Sequence, residues 1–275
     1  MTPSDFTEYC ITAPTDPRLS TSGNQICGFY DVNPNKFGQV TRVVTLAKNF
    51  GTPEELYNGV DMAVNARWGE GALLQGGVSL GRQTFDYCFA NGHPELTPQG
   101  FPVAYPRSEA FCRPQSPWWD GSGSQIKFLG VYPLPWGVIV SGTFKHLPGV
   151  PQTANLVLGT AQIAPSLGRN LAACPAAGAC TATATHALIP IGTLGSTTAA
   201  GGAPTQFDMR LTETDVRISK SVRLGRTKVQ GILDIYNLFN NRAPQSSVPT
   251  YGRSWLRPTL LLGGRLFEFG TQVDW

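Results

Sequence analysis

Seven stretches of this chain alternate apolar and polar residues with a period of two, and the connections between them strictly alternate in length. That pattern limits the fold more than any composition figure does. In "NGVDMAVNARWGEGALLQGGVSLGRQT", Val60, Met62, Val64, Ala66 and Trp68 oppose Asp61, Ala63, Asn65 and Arg67; Gly69 to Gly71 turn the chain, and Leu74, Gly76, Val78 and Leu80 return it. A second pair, "SQIKFLGVYPLPWGVIVSGTFKH", is expected to break at Pro133-Leu134-Pro135, because proline cannot donate into a ladder. Along its return leg Val138, Val140, Gly142 and Phe144 share a face. A third, in "TETDVRISKSVRLGRTKVQGILDIYNLFNN", sets Val216, Ile218 and Val222, then Val229, Leu233 and Ile235, on one face about a turn at Leu224 to Arg226. The seventh run closes the sequence: Phe267, Phe269, Thr271, Val273 and Trp275 point one way, and Leu266, Glu268, Gly270, Gln272 and Asp274 the other.

Between the short turns lie long segments, roughly 85–123, 147–205 and 240–263. In an up-and-down sheet alternate connections leave opposite edges, so all long segments share one side with residues 1–57. Trp68, Trp136 and Trp275 all fall at the short-turn end. The expectation is an all-β, antiparallel, up-and-down portion of a transmembrane β-barrel, with short turns on one side, long loops on the other and aromatics at the interfaces. On this division residues 1–57 are an extracellular loop region and residues 58–275 the barrel part.

Composition agrees. Charged residues make up only 14% of the chain, against about 25% in typical soluble domains, a thin coat for an aqueous surface. The net charge of +3 is scattered, with no basic run interleaved with aromatics, which argues against a nucleic-acid partner. No apolar stretch reaches ~18 residues, so helical spans are excluded while tilted strands of about 9–11 residues are not. The opening Met-Thr-Pro-Ser-Asp-Phe-Thr-Glu has neither a basic start nor an apolar core and does not read as a signal peptide.

Six cysteines, Cys10, Cys27, Cys88, Cys112, Cys174 and Cys180, lie in segments rich in Pro, Gly and Asn, outside the alternating runs. They lack the repeated C-x2-C spacing of zinc sites, and only His93, His146 and His186 could assist. Sequential disulfides in an oxidising compartment explain them better than free thiols, although spacing alone does not fix the connectivity.

No catalytic constellation stands out, and no cofactor is implied. Glu54 and Glu55 are neighbours in sequence and therefore face apart; Asp61, Asp215 and Asp234 lie on polar strand faces, where Arg67, Arg217 and Arg223 can pair with them. His93 sits in a turn, and no serine has a G-x-S-x-G setting. The expectation is a protein that is not an enzyme. Among loop residues, Tyr105, Phe111, Trp118 and Trp119 are the best candidates for stacking on a small-molecule, glycan or peptide substrate.

"DIYNLFN", with Asn237, Leu238, Phe239 and Asn240, resembles the penultimate-strand motif of TonB-dependent outer-membrane receptors. "YNGVDMAVNARWGEGALLQGGVSLGR", "YPLPWGVIVSGTF", "DVRISK" and "YGRSWLRPTLLLGGRLFEFG" resemble the Oar-like receptors of acidobacterial type more narrowly, over nearly the whole chain. Members of that family carry a signal peptide, a TonB-contacting segment, a plug and a barrel of about 22 strands. The sequence shows none of the first three and seven of the strands, so the resemblance implies a C-terminal barrel portion in the bacterial outer membrane. It also implies partners: the lipid bilayer, a TonB complex acting through the missing plug, and the barrel assembly machinery, which would read Phe267, Phe269, Val273 and Trp275. The alternative from another class is a secreted β-sandwich carbohydrate-binding module with Trp118 and Trp119 as its platform; an extracellular hydrolase would need convergent acids that are missing.

Overall fold

The computed structural model describes residues 1–39, 42–98, 101–116, 118–119, 123–175, 178–190 and 208–275. Its strands in chain order are β1 (Phe6–Thr12), β2 (Gln25–Val32), β3 (Glu54–Trp68), β4 (Ala72–Asp86), β5 (Gln125–Leu134), β6 (Val138–Leu147), β7 (Asn155–Gly159), β8 (Thr183–Ala187), β9 (Leu211–Leu224), β10 (Thr227–Tyr236), β11 (Pro244–Ser247), β12 (Pro258–Leu261) and β13 (Leu266–Asp274). Two short helices, α1 (Glu109–Cys112) and α2 (Thr160–Leu167), lie in the long connections. The part of the second long segment at 191–207, including its expected end at Thr205, lies outside the described residues.

The seven alternating runs are β3, β4, β5, β6, β9, β10 and β13, and they form one antiparallel sheet in that order. Every pairing is between strands consecutive in that series, so the expected up-and-down order holds. β3 and β13 are its two edges. The sheet starts at Glu54, earlier than the expected boundary at 58, because Glu54 to Tyr57 pair with Gln83 to Asp86.

Two turns differ from expectation. Pro133 and Leu134 stay in β5, paired with Ile139 and Val138, and the chain reverses over Pro135–Gly137, where Trp136 takes a φ of 64°. The ladder tolerates Pro133 because pairing with β4 ends at Val131, leaving one side of β5 free of donor demands. At the third turn Leu224 pairs with Thr227, so Gly225 and Arg226 alone make the bend, with Gly225 at φ 64°.

The strands are offset steadily across the sheet. Ala66, Leu74, Gly130, Gly142, Val216, Ile235 and Phe267 form one cross-strand row. Toward the short turns, β3 runs two residues past this row to Trp68, β5 four to Leu134 and β9 eight to Leu224. In the other direction β4 runs twelve to Asp86, β6 five to Leu147 and β10 one to Tyr236. Both margins therefore step the same way, which is the shape of a sheet whose strands lean relative to its margins.

The long connections are not separate loops. β1 pairs with β2, β7 with β8 and β11 with β12, and these hairpins with α2 enclose the main apolar core of the molecule. Tyr9, Ile11, Phe29, Phe101, Phe111, Ile163, Leu188 and Trp255 meet there. Residues 1–57, expected to be loop, thus hold an ordered hairpin that is part of this cap. Its sequence hides the strand period because Tyr9 pairs with Phe29 while Cys10 pairs with Cys27, so Gly28 bulges out. Gly28 has φ 95°, and a Cβ there would sit 2.9 Å from the Arg107 carbonyl oxygen, so both backbone shape and space demand glycine.

The disulfides are Cys10–Cys27, Cys88–Cys112 and Cys174–Cys180, each joining sequential cysteines. The first departs from the expected loop setting: it bridges paired residues of β1 and β2.

Candidate functional site

Because directly opposed residues share a face, the pairing register shows whether the seven apolar sets coincide. They do. Val60 opposes Leu80, Phe128 opposes Gly76 and Phe144, Val140 opposes Tyr132 and Ile218, and Leu233 opposes Ile218 and Phe269. One face is therefore apolar from edge to edge. Among the described residues no second layer covers it: Val60, Met62, Ile218, Val222 and Phe267 are exposed, and Phe269 is 80% accessible. The two stacked sheets of a β-sandwich, which would bury Val64 and Phe269, do not form among these residues.

The opposite face is polar and internally bonded. Arg217 donates through Nε to Asp234 Oδ1 at 2.6 Å and through Nη2 to Oδ2 at 2.8 Å, a forked pair. Lys145 Nζ lies 3.1 Å from Glu213. Of the expected arginine partners only Arg217 takes one of the three aspartates. Asp61 instead accepts from Ser79 Oγ at 2.5 Å, and Asp215 accepts from Thr143 Oγ1 at 3.2 Å and from the Asn237 backbone N–H at 2.9 Å.

The Asn237–Asn240 motif fastens the long-connection end of β10. Asn237 is buried with φ 48°, and its Nδ2 donates to the carbonyls of Asn241 and Gly263 at 3.0 and 2.7 Å. Its Oδ1 accepts from the Asn241 N–H. Leu238 donates its N–H to Thr214 O, whereas the Phe239 side chain is 75% exposed. A short amide that tolerates left-handed backbone is what this corner requires. Phe267, Phe269 and Val273 project from the apolar face of β13, and Trp275 follows at 95% exposure. Trp68 and Trp136 mark the same margin at the first two turns.

Two proposed ligand contacts are corrected. Phe111 and Tyr105 are 2% and 6% exposed and pack with Phe101 inside the cap, so they support it and are closed to solute. Their sequence setting gives no period to reveal burial. Trp118 and Trp119 are half-exposed; the Arg210 guanidinium lies 4.6 Å from the Trp119 ring.

The cap also holds groups whose partners the sequence does not reveal. His186 is fully buried between Tyr9 and Phe29, with ring centroids at 5.7 and 4.8 Å. Its Nδ1 faces the Leu156 carbonyl at 3.3 Å, which can only accept, so the proton belongs on Nδ1 and Nε2 accepts from Tyr9 OH at 2.8 Å. Burial holds the imidazole below its ordinary range, and burial together with the nearby Asp31 charge raises the Tyr9 phenol. Asp16 joins the first hairpin to the last long connection: Arg18 binds its carboxylate at 2.9 and 2.6 Å and Tyr251 OH at 3.2 Å, and chiefly the Arg18 hydrogen bond lowers it to about 2. Nothing but the spatial meeting of residues 235 apart reveals this link.

Beside the edge strand a cleft of about 850 Å³ opens between residues 42–53 and the turn at 87–98. Phe50, Tyr87, Phe89, Glu54, Glu55 and Glu95 are among the residues that line it, a mixture of rings and carboxylates. Glu54 and Glu55 leave opposite faces of β3 and do not face each other, and His93 pairs with Glu95 at 3.0 Å. Cys88, Glu109 and Cys112 lie together, but their sulfurs are joined in a disulfide and cannot serve as thiolate ligands. No helix among the described residues is long and apolar enough to cross a membrane, which leaves crossing by strands open. No protein-family model matches the chain, and neither a curated protein nor a solved structure matches it.

Proposed function

We propose that the seven-stranded sheet is part of the wall of a bacterial outer-membrane β-barrel, of the TonB-dependent receptor kind, that takes up a scarce solute. One observation carries the reading: an apolar face continuous over seven strands with no second layer on it among the described residues. A face of that extent in water would drive association, whereas hydrocarbon satisfies it. The steady offset of the strands supports the reading, since closed barrels need tilted, sheared strands. So does the gathering of Trp68, Trp136 and Trp275 at the short-turn margin, the place of the inner aromatic girdle. The cystine-braced cap would then form the external vestibule, and the polar face, with Arg217 and Asp234, would line the lumen.

Strand parity constrains closure. β3 and β13 run in the same direction, because seven alternating strands begin and end alike. A wholly antiparallel ring thus requires an odd number of further strands. Gating and energy coupling would belong to a plug that engages TonB, and the wall itself performs no chemistry. Expressed in the cytoplasm and fractionated, the chain should appear in inclusion bodies and require detergent once refolded. A monodisperse soluble monomer in plain buffer would overturn the reading.

A further inference from the structure

We infer that the apolar face carries a site for one anionic glycerophospholipid, its phosphate held by Lys220 and one acyl chain lying in an adjacent trough. The inference rests on the reading of that face as lipid-facing. Glu54, Arg82 and Asp86 share this face at its long-connection end; beyond them, toward the short turns, Lys220 is the one charged residue on it among the seven strands. Its cross-strand neighbours are Val138 and Gly231. It is exposed, and among the described residues it forms no ion pair.

A lysine facing hydrocarbon is costly at mid-depth and nearly free close to an interface, where its stem lies along the apolar surface and its ammonium reaches headgroups. Lys220 stands four residues before the end of β9 at Leu224. At about 3.3 Å per residue and a tilt of about 40°, that is ~10 Å from the hairpin tip, inside the reach of a snorkelling side chain. Trp136, 85% exposed, lies two residues before Val138 in the adjoining turn.

Val140, two residues further from the turn than Val138 and on the same face, forms the near wall of a trough of about 290 Å³. Gly130 and Gly142, paired with each other, make its floor, and Trp68, Leu74 and Tyr132 complete the walls. The trough exists because two opposed positions lack side chains. Its lining is almost wholly apolar, and its size lies at the lower limit of small-molecule sites, about 300 Å³, which fits a length of one hydrocarbon chain better than a ring-bearing ligand. A lone cation with no protein counter-charge favours a headgroup of net negative charge. Phosphatidylglycerol meets that need, whereas the ammonium of a zwitterionic lipid would compete with Lys220 for its own phosphate.

The test uses the full chain in micelles with phosphatidylglycerol or phosphatidylcholine of matched chains, native mass spectrometry counting the lipids retained. The expected result is one retained phosphatidylglycerol, preferred by about fivefold. Lys220→Gln should abolish the preference, and Lys220→Arg should keep it. Gly130→Leu should lower retention of both lipids, since a Cβ at Gly130 meets nothing nearer than the Leu73 carbonyl at 3.9 Å and the added side chain fills the trough. Equal phosphatidylglycerol retention by wild type and Lys220→Gln would overturn the site while leaving the wall reading intact. A chain that stays soluble without detergent would overturn both.

Discussion

Replacing Ile218 by arginine asks directly which medium wets the apolar face. β9 spans 14 residues, and Ile218 stands seven from Leu211 and six from Leu224. Thirteen steps of about 3.3 Å leaning at about 40° project ~33 Å, slightly more than the ~25 Å apolar band of an outer-membrane wall, so on the proposed lipid-facing reading Ile218 would fall near mid-depth. Arginine there should cost about 2–4 kcal/mol, roughly a 30- to 700-fold loss in the folded-to-unfolded ratio. Leu224→Arg, at the hairpin rim, should cost about 0–1 kcal/mol, and Ser221→Arg, on the polar face, should change little. Urea titration of the membrane-assembled protein, followed by the tryptophan signal, reads all three. The reasoning fails if Ile218→Arg is no worse than Leu224→Arg, or if it improves recovery in plain buffer, because a depth-dependent cost is peculiar to lipid.

Four further outcomes are expected. In the chain-entropy account, replacing Cys10 and Cys27 by serine, which opens a cross-link with a sequence separation of 17, should cost about 3 kcal/mol; removing Cys174–Cys180, separation 6, about 2. Denaturant unfolding of the cap would show the order reversed if chain entropy does not govern the cost. Since the fold lowers His186, cap stability should be complete above the ordinary imidazole value of about 6.5 and decline as pH falls below it. Amides of β1, β2, β7 and β8 should exchange faster at pH 5.5 than at 7.5 after intrinsic correction, and His186→Gln should remove that step. Asn237→Ala should cost about 1–3 kcal/mol by stranding buried partners, against under about 0.5 for Phe239→Ala, a contrast that thermal melts resolve. Trp275→Ser should reduce the fraction delivered to the outer membrane, measured by surface proteolysis; unchanged delivery would remove it from the assembly signal.

The sheet was largely legible in the sequence and the cap was not, for a physical reason. A strand with one greasy and one wet side must alternate, so Val60 to Trp68 or Val216 to Val222 announce themselves residue by residue. The cap's core is assembled from isolated positions, Phe101, Tyr105, Phe111, Leu188 and Trp255, each in irregular backbone with no period to display. Even its first hairpin is masked by the bulge at Gly28, and α2 carries Pro165 within it. Loop aromatics therefore looked like solute contacts when two of the four are interior. The Asn237 corner was recognisable as a motif, yet its work, satisfying three backbone groups across the strand end, emerges only from the coordinates.

The distances along the chain within the cap set an order of events. Each hairpin of the sheet closes over neighbours and can form as soon as it is released. The cap cannot: Tyr9 waits 177 residues for His186, and Asp16 waits 235 for Tyr251. Contacts so remote in sequence are slow to find. Completion of the cap thus becomes the last step of folding, a clasp fastened only after the ribbon it crowns is in place.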